Sequence, residues 1–309
     1  MILDPLIALC PPEFDIVLAD VGSAGGLKDR WRPARPIVSA LLFEPRDGGE
    51  VTQRGRDTLF PIALGPEAGR ATLNVTALPN MSSTLEPNRP LLETFRKKGE
   101  HTRILSTLEM PVDTLDAVAA RTGRRIDAIK VDTQGSEIGI LEGARTCLAQ
   151  DILIAEVEVS FFHRYVGQAV VTDIVTFMAD HGFELLDLYR LKRYRRRNAE
   201  EVGNISLGGG QRAGRLAYGD AMFLIEESRL LERVRALPQP ESMAVMLRAI
   251  ASLIIYGKPD MAAYLFDLTA DLFDAQRRER LRQYLGSLGK RRLRSGWAHH
   301  MLDYLARHV

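Results

Sequence analysis

Twelve consecutive residues constrain this chain's fold more than any others: Ile126-Asp127-Ala128-Ile129-Lys130-Val131-Asp132-Thr133-Gln134-Gly135-Ser136-Glu137. An apolar run that ends in an acid and passes through glycine into a polar segment reads as a buried strand, a tight turn and a helix start. The pattern recurs upstream. Residues 15–21 form an apolar run containing Asp20 and lead into Gly22-Ser23-Ala24-Gly25-Gly26, and residues 38–43 form another that ends at Glu44. Strands that alternate with helices pack as a parallel, doubly wound sheet, and such sheets bind ligands at the carboxyl ends of their strands. Asp132 is therefore placed at the ligand edge, although an acid at that position can also serve only as a helix cap.

The rest of the first 226 residues fits this scheme. A short helix is expected over residues 27–32, stopped by Pro33 and Pro36. Residues 59–64 read as a third strand, with 70–76 hairpinned onto it, followed by a long polar loop over 77–89. Asp113 is the expected N-cap of a helix through Ala120. Residues 128–132 are the central strand, 137–148 a helix, 152–159 a strand, and 171–181 a helix closed by Gly182. Residues 184–188 and 221–225 are the last two strands, joined by a long basic connection over 189–219. The expected fold is thus a Rossmann-like, mostly parallel, seven-stranded sheet with an antiparallel last strand.

After residue 226 apolar residues recur at helical spacing only, as in Leu247, Ile250, Leu253 and Ile254. Residues 1–226 are read as one domain and 227–309 as an α-helical extension for packing, self-association or partner binding. Residues 276–294 carry eight Lys or Arg against one acid, which would also suit peripheral contact with an anionic membrane surface. No apolar run is long enough to span a bilayer, and no secretory leader is evident. Two cysteines exclude a disulfide framework, and the chain is expected in the cytoplasm. A net charge of +1 and sparse aromatics in the basic tract argue against nucleic acid as the partner.

The glycine turn after Asp20 lets backbone approach a ligand closely. Glu44, twenty-four residues on, can accept hydrogen bonds from both hydroxyls of a ribose. The spacing matches neither a dinucleotide fingerprint nor a phosphate-cradling P-loop. An acid ahead of the glycines disfavours a pyrophosphate and suits a cationic cofactor, and S-adenosylmethionine satisfies both the ribose and the charge. Asp20, Gly22, Ser23, Gly26, Glu44 and Asp132 are the cofactor-binding candidates. An alcohol acceptor also needs a proton acceptor at that edge. Asp132, Glu158 and His163 are the catalytic candidates. Glu156 shares a strand face with Glu158 and with it could join Asp132 around a divalent metal, a reading the sequence disfavours.

These residues carry a resemblance. The segment 126–137 together with Ile140-Leu141-Glu142-Gly143-Ala144 resembles the signature of FkbM-type S-adenosylmethionine-dependent methyltransferases. Asp20-Val21-Gly22, Phe43-Glu44-Pro45, the Ser82-Ser83 pair, Thr114-Leu115-Asp116 and Gly219-Asp220-Ala221 agree with it in order and spacing. The resemblance spans residues 15–226 and implies methyl transfer to oxygen, on a hydroxyl of a saccharide or secondary metabolite. It puts Leu64 on the cofactor side, although Gly65-Pro66 stands where the family shows Ser-Asp. Ser82, Ser83 and Tyr165 are the expected substrate contacts. Arg193 and Arg195, in a run of six cations over 190–197, would attract an anionic acceptor. A second reading is a methyltransferase-like scaffold without turnover that assembles through its helical tail.

Overall fold

The computed structural model describes residues 2–23, 26–27, 29–203 and 212–289. A short helix α1 (Asp4–Ile7) precedes β1 (Ile16–Val21). The turn after β1 is described at Gly22, Ser23 and Gly26, while Ala24 and Gly25 lie outside the described residues. A 3₁₀ run, Asp29–Ile37, then passes through both Pro33 and Pro36 instead of stopping before them. Proline's fixed φ and missing N–H are tolerated there, because the run has no long i→i−4 ladder to break.

β2 (Val38–Phe43) lies parallel to β1. The expected third strand is divided at Pro61. β3 (Thr52–Arg54) and β4 (Asp57–Phe60) form an edge hairpin beside β2, and β5 (Ala63–Leu64) leaves for a second sheet. β6 (Gly69–Thr76) pairs not with the third strand but with β7 (Ile104–Asp113), beyond the short helices α2 (Arg89–Leu92) and α3 (Lys98–His101). Helix α4 (Leu115–Thr122) is capped by Thr114, whose hydroxyl accepts from Ala117 N at 3.0 Å, while Asp113 accepts from Thr114 N.

β8 (Ala128–Val131) is followed by two short helices, α5 (Glu137–Glu142) and α6 (Arg145–Gln150), where one was expected. They break at Gly143, whose Cα packs so closely on Gly65 that a Cβ would meet its carbonyl oxygen at 2.1 Å. β9 (Ile154–Ser160), α7 (Val171–Asp180), β10 (Phe183–Tyr194) and β11 (Arg215–Ile225) complete the domain. The last two are longer than expected. The basic stretch is the end of β10 itself, bulged between Tyr189 and Arg193, and residues 204–211 of its connection to β11 lie outside the described residues.

The main sheet has the order β10-β11-β9-β8-β1-β2-β4-β3. β1, β2, β4, β8 and β9 are mutually parallel, and β11 runs antiparallel to both β9 and β10. This is the Rossmann-like sheet the alternation predicts, with β3 added at one edge as an eighth strand. The chain winds outward from β1 through β2 to β4, then returns to β8 on the other side of β1. The carboxyl ends of β1 and β8 therefore flank the switch point of the fold. β1, β2, β8 and β9 are buried along their whole lengths, as strands covered on both faces must be.

Beyond Ile225 come α8 (Glu227–Ala236), α9 (Glu241–Ile255) and α10 (Pro259–Leu268), and residues 275–289 are also helical. Residues 290–309, including the end of the basic tail, lie outside the described residues. Leu230, Val234, Leu247, Ile250 and Leu265 join the same apolar core as the sheet. Arg248 of α9 donates to Asp15 O at 2.8 Å and lies 3.6 Å from the buried Asp127 carboxylate. Among the described residues no helix is long and apolar enough to cross a membrane.

Candidate functional site

Alternation along a strand puts residues i and i+2 on one face, and the register of the sheet stacks those positions in rows. Asp20 pairs in register with Lys130, and Lys130 with Glu156. Two residues further along each strand come Gly22, Asp132 and Glu158, with Asp220 opposite Glu158 on β11. A row of buried charge thus lies beneath a second row at the carboxyl edge.

The lower row is internally neutralised. Lys130 Nζ sits 3.4 Å from Asp20 Oδ1 and 3.5 Å from Asp132 Oδ2. The two carboxylates, with Glu156, outweigh desolvation and hold the ammonium above its ordinary pKa. Glu156 is met by Arg30 at 3.2 Å. Asp20 was expected beside the ligand. It lies instead within β1, fully buried, with Lys130 between it and Asp132.

The upper row opens onto a cavity of about 420 Å³. Gly22, Glu44, Leu64, Ser82, Asp132 and Glu158 all line it. Gly22 has φ +80°, and a Cβ there would meet Asp132 O at 2.1 Å. Glycine is required on both counts. The close approach is fixed by Asp132 N donating to Val21 O at 3.1 Å, and by Gly22 N donating to Phe43 O at 3.1 Å. Ser23 is buried beside this turn, and neither it nor Gly26 lines the cavity.

Glu44 stands at the end of β2. Its Oε1 accepts from Arg46 N and Nε, and its Oε2 from Arg46 Nη2 at 2.9 Å. Arg46 holds this carboxyl below the usual glutamate range despite its burial. An ionised carboxylate offers about four lone-pair positions. Arg46 fills three of them, so one remains for a ligand unless Arg46 moves.

Asp132 and Glu158 are joined by a residue that sequence reasoning passed over. Gln134, at φ +62°, donates from Nε2 to Asp132 Oδ1 at 3.2 Å and to Glu158 Oε2 at 2.8 Å. Two buried groups hold it in that strained position. Glu137 Oε1 accepts from Thr133 N at 3.0 Å and from Gly135 N at 2.9 Å, and Ser83 Oγ donates to Gln134 O at 2.8 Å. Glu137 thus supports the turn, as a carboxylate satisfied by backbone N–H groups. Ser83 serves that turn without lining the cavity, whereas Ser82 lines it and accepts from Thr76 N at 3.1 Å.

Glu158 Oε2 also accepts from Arg164 Nη2 at 2.9 Å. No described residue donates to its Oε1. Burial pushes this carboxyl up to about 8. Arg164 opposes the rise, but Asp132 and Glu137 add to it. Arg164 itself stays charged: burial is the largest single influence and opposes its charge, but Glu158, Tyr194 and Tyr165 together outweigh it.

Other expected contacts fall elsewhere. His163 is exposed and outside the cavity, with Nδ1 2.8 Å from Gln168 O. The Tyr165 side chain is fully buried, and its hydroxyl donates to Met81 O at 2.8 Å. Arg193 and Arg195 do not line the cavity. Tyr194 between them is buried, so strand alternation turns its neighbours to the opposite face. The cations that do reach the cavity beyond Glu158 are Arg164 and Lys98, set against Tyr218 and Tyr194. Among the described residues, no group of three or more His, Cys, Asp or Glu side chains is arranged to hold a metal ion.

Comparison with known proteins gives a family. Residues 33–185 match the family model described as the methyltransferase FkbM domain. No curated protein matches the chain significantly. Among solved structures, methyltransferase FkbM from Methylobacillus flagellatus KT is similar over 68% of this chain, at 13% identity and a TM-score of 0.34. The match covers 43% of that protein, so this chain spans less than half of its length. Precorrin-6y C5,15-methyltransferase from Geobacter metallireducens GS-15 is similar at 11% identity and a TM-score of 0.29, over 71% of this chain and 85% of that one.

Proposed function

The chain belongs to the FkbM methyltransferase family through residues 33–185, and from that premise we propose that it is an S-adenosylmethionine-dependent O-methyltransferase acting on a hydroxyl of a saccharide or secondary metabolite. The observation that carries this reading is that Glu44, Asp132 and Glu158 line one cavity at the switch point of the sheet.

The residues suit the cofactor. Its volume is within the range of small-molecule sites. Gly22 keeps the first turn free of side chain. Phe43, Ile62 and Leu64 give an apolar wall for a purine, and Glu44 accepts from the ribose at the position Arg46 leaves open. When bound, S-adenosylmethionine supplies a methyl carbon made electrophilic by a positively charged sulfur. Asp132 stands at that edge, held from below by Lys130 and from the side by Gln134. Glu158 takes the acceptor's proton. Its Oε2 is fixed by Gln134 and Arg164, which leaves Oε1 to receive the hydroxyl hydrogen as the oxygen–carbon bond forms and the sulfur–carbon bond breaks. Burial makes Glu158 a stronger base than an ordinary carboxylate.

Calorimetric titration with S-adenosylmethionine tests the cofactor half of this reading. Glu44→Ala should weaken binding about tenfold or more, the value of a charge-assisted hydrogen bond. Unchanged affinity would sink the ribose assignment. Cytoplasmic location and self-association through α8–α10 complete the proposal, and sedimentation of the chain with and without residues 227–309 tests the second.

A further inference from the structure

The charges that line the cavity are matched, with one exception. Glu44 is met by Arg46, Asp132 by Lys130 from below, and Glu158 by Arg164. Lys98, at the start of α3, has no carboxylate partner among the described residues. Its ammonium is half-buried and lies 4.4 Å from the ring centroid of Tyr194. That ring is packed against Phe95 and Phe162, so it cannot follow a mobile side chain. Burial and the nearby Arg164 push Lys98 below its ordinary value. A cation kept in a partly desolvated place beside a second cation is costly unless an anion arrives.

The place of this pair in the cavity gives it a direction. Glu44 and the apolar wall formed by Phe43, Ile62 and Leu64 stand at β2 and β5, on one side of Asp132. Lys98, Arg164, Tyr194 and Tyr218 come from α3, the segment after β9, and the β10–β11 hairpin, on the other side. We propose that Lys98, with Arg164 beside it, anchors an anionic group on the methyl acceptor, a carboxylate or a phosphate monoester carried by a sugar-like ring. This rests on the methyltransferase reading above and narrows its substrate class. It replaces Arg193 and Arg195, which face away, as the source of selectivity for charge. The half-buried Tyr218 supplies apolar ring surface beside the same end, suited to the C–H face of a ring.

Binding of glucuronate, glucose 6-phosphate and neutral glucose to the full chain tests this, with and without S-adenosylhomocysteine present. At least one charged sugar should bind saturably, and Lys98→Met should weaken it about tenfold or more, the loss expected for one charge-assisted contact. Lys98→Arg should retain most of the affinity, and glucose should bind no better to wild type than to Lys98→Met. The two charged sugars separate a carboxylate from a phosphate preference. Should Lys98→Met fail to fold, wild-type Lys98 should be protected from acetylation by the charged sugar and not by glucose. Absence of binding by both charged sugars, equal binding by Lys98→Met, or equal protection by glucose overturns the proposal. S-adenosylhomocysteine titration in the same samples keeps the two readings apart: cofactor binding without anion binding refutes the anchor alone, and anion binding without cofactor binding refutes the methyltransferase reading alone.

Discussion

Gly22→Ala puts the site's geometry to its most direct test. Two costs add at this residue. An alanine at φ +80° enters the left-handed region, at about 1–2 kcal/mol. Its Cβ would also sit 2.1 Å from Asp132 O, a backbone atom that cannot swing aside. Relieving that overlap by separating β1 from β8 is an overpacking change of about 1–3 kcal/mol. The sum is about 2–5 kcal/mol, or a fall in melting temperature of roughly 3–8 °C for a chain of this length. Gly26→Ala is the internal control. Its φ of +82° carries the same backbone penalty, but among the described residues no atom beyond its chain neighbours lies within 4 Å of its Cβ. The two variants should therefore differ by the overpacking cost alone. Urea unfolding measures both, and cofactor titration reads the displacement of Asp132. A shift of about an ångström in a site group can cost on the order of a hundredfold in rate. Equal stability of the two variants would refute the close approach of Gly22 to Asp132, and with it the placement of the first turn against the central acid.

Glu158→Gln should abolish most methyl transfer while leaving cofactor affinity within about twofold, a loss of about 10²–10⁴ in rate if it removes the base. In the wild type, transfer of labelled methyl should rise with pH through about 8, where Glu158 is half ionised, and level off roughly a unit higher, and a wild-type profile that is flat from pH 6 to 9 would exclude Glu158 as the base. Lys130→Met removes the cation shared by the buried Asp20 and the half-exposed Asp132, and should cost about 3–5 kcal/mol in urea unfolding. Asp127 is held up at about 6 from 3.8, chiefly by burial, so the native state binds the extra proton between those values. Its contribution to stability is full below pH 4 and is lost as pH rises through 6, on the order of 3 kcal/mol. Asp127→Asn, which can still accept from Val17 N, should flatten that limb of the stability–pH curve.

Much of this was legible in the sequence, for reasons that can be named. β1, β2, β8 and β9 are buried on both faces, so they appear as mostly apolar runs, broken chiefly by the site's own charges, Asp20, Lys130, Glu156 and Glu158. Gly22, Glu44, Asp132 and Glu158 stand at the ends of those strands, and the strands carry them to the cavity. β7 was not legible because nine of its ten residues are exposed or half-exposed, which erases the two-residue period that marks a strand. Lys98 and Arg164 were missed because α3 and the segment after β9 reach the cavity through tertiary packing alone. Tyr194 could have been found. In Arg193-Tyr194-Arg195 an extended backbone turns the ring to one face and both arginines to the other, and the ring is buried while both arginines are exposed.

Gln134 gives the turn after β8 its meaning. It occupies a backbone region that costs a non-glycine residue about 1–2 kcal/mol, and a turn could avoid that with glycine. What glycine lacks is the amide that reaches Asp132 on one side and Glu158 on the other. The surrounding residues can be understood as supports for that amide. Glu137 gathers the N–H groups of Thr133 and Gly135, Ser83 donates to the Gln134 carbonyl, and Arg164 Nη1 donates to Gln134 Oε1 at 3.3 Å. Arg164 fixes the side-chain orientation, because an amide turned over would set its NH₂ against a guanidinium and its oxygen against two carboxylates. The amide nitrogen also lets two acids stand close while adding no charge of its own. A lysine there would neutralise one acid and lower the basicity that burial gives Glu158, and a glutamate would add a third negative charge. Gln134→Gly relieves the backbone and removes the amide, so stability should be kept or raised while methyl transfer falls. Loss of both together would mean that the amide holds the fold and not the chemistry.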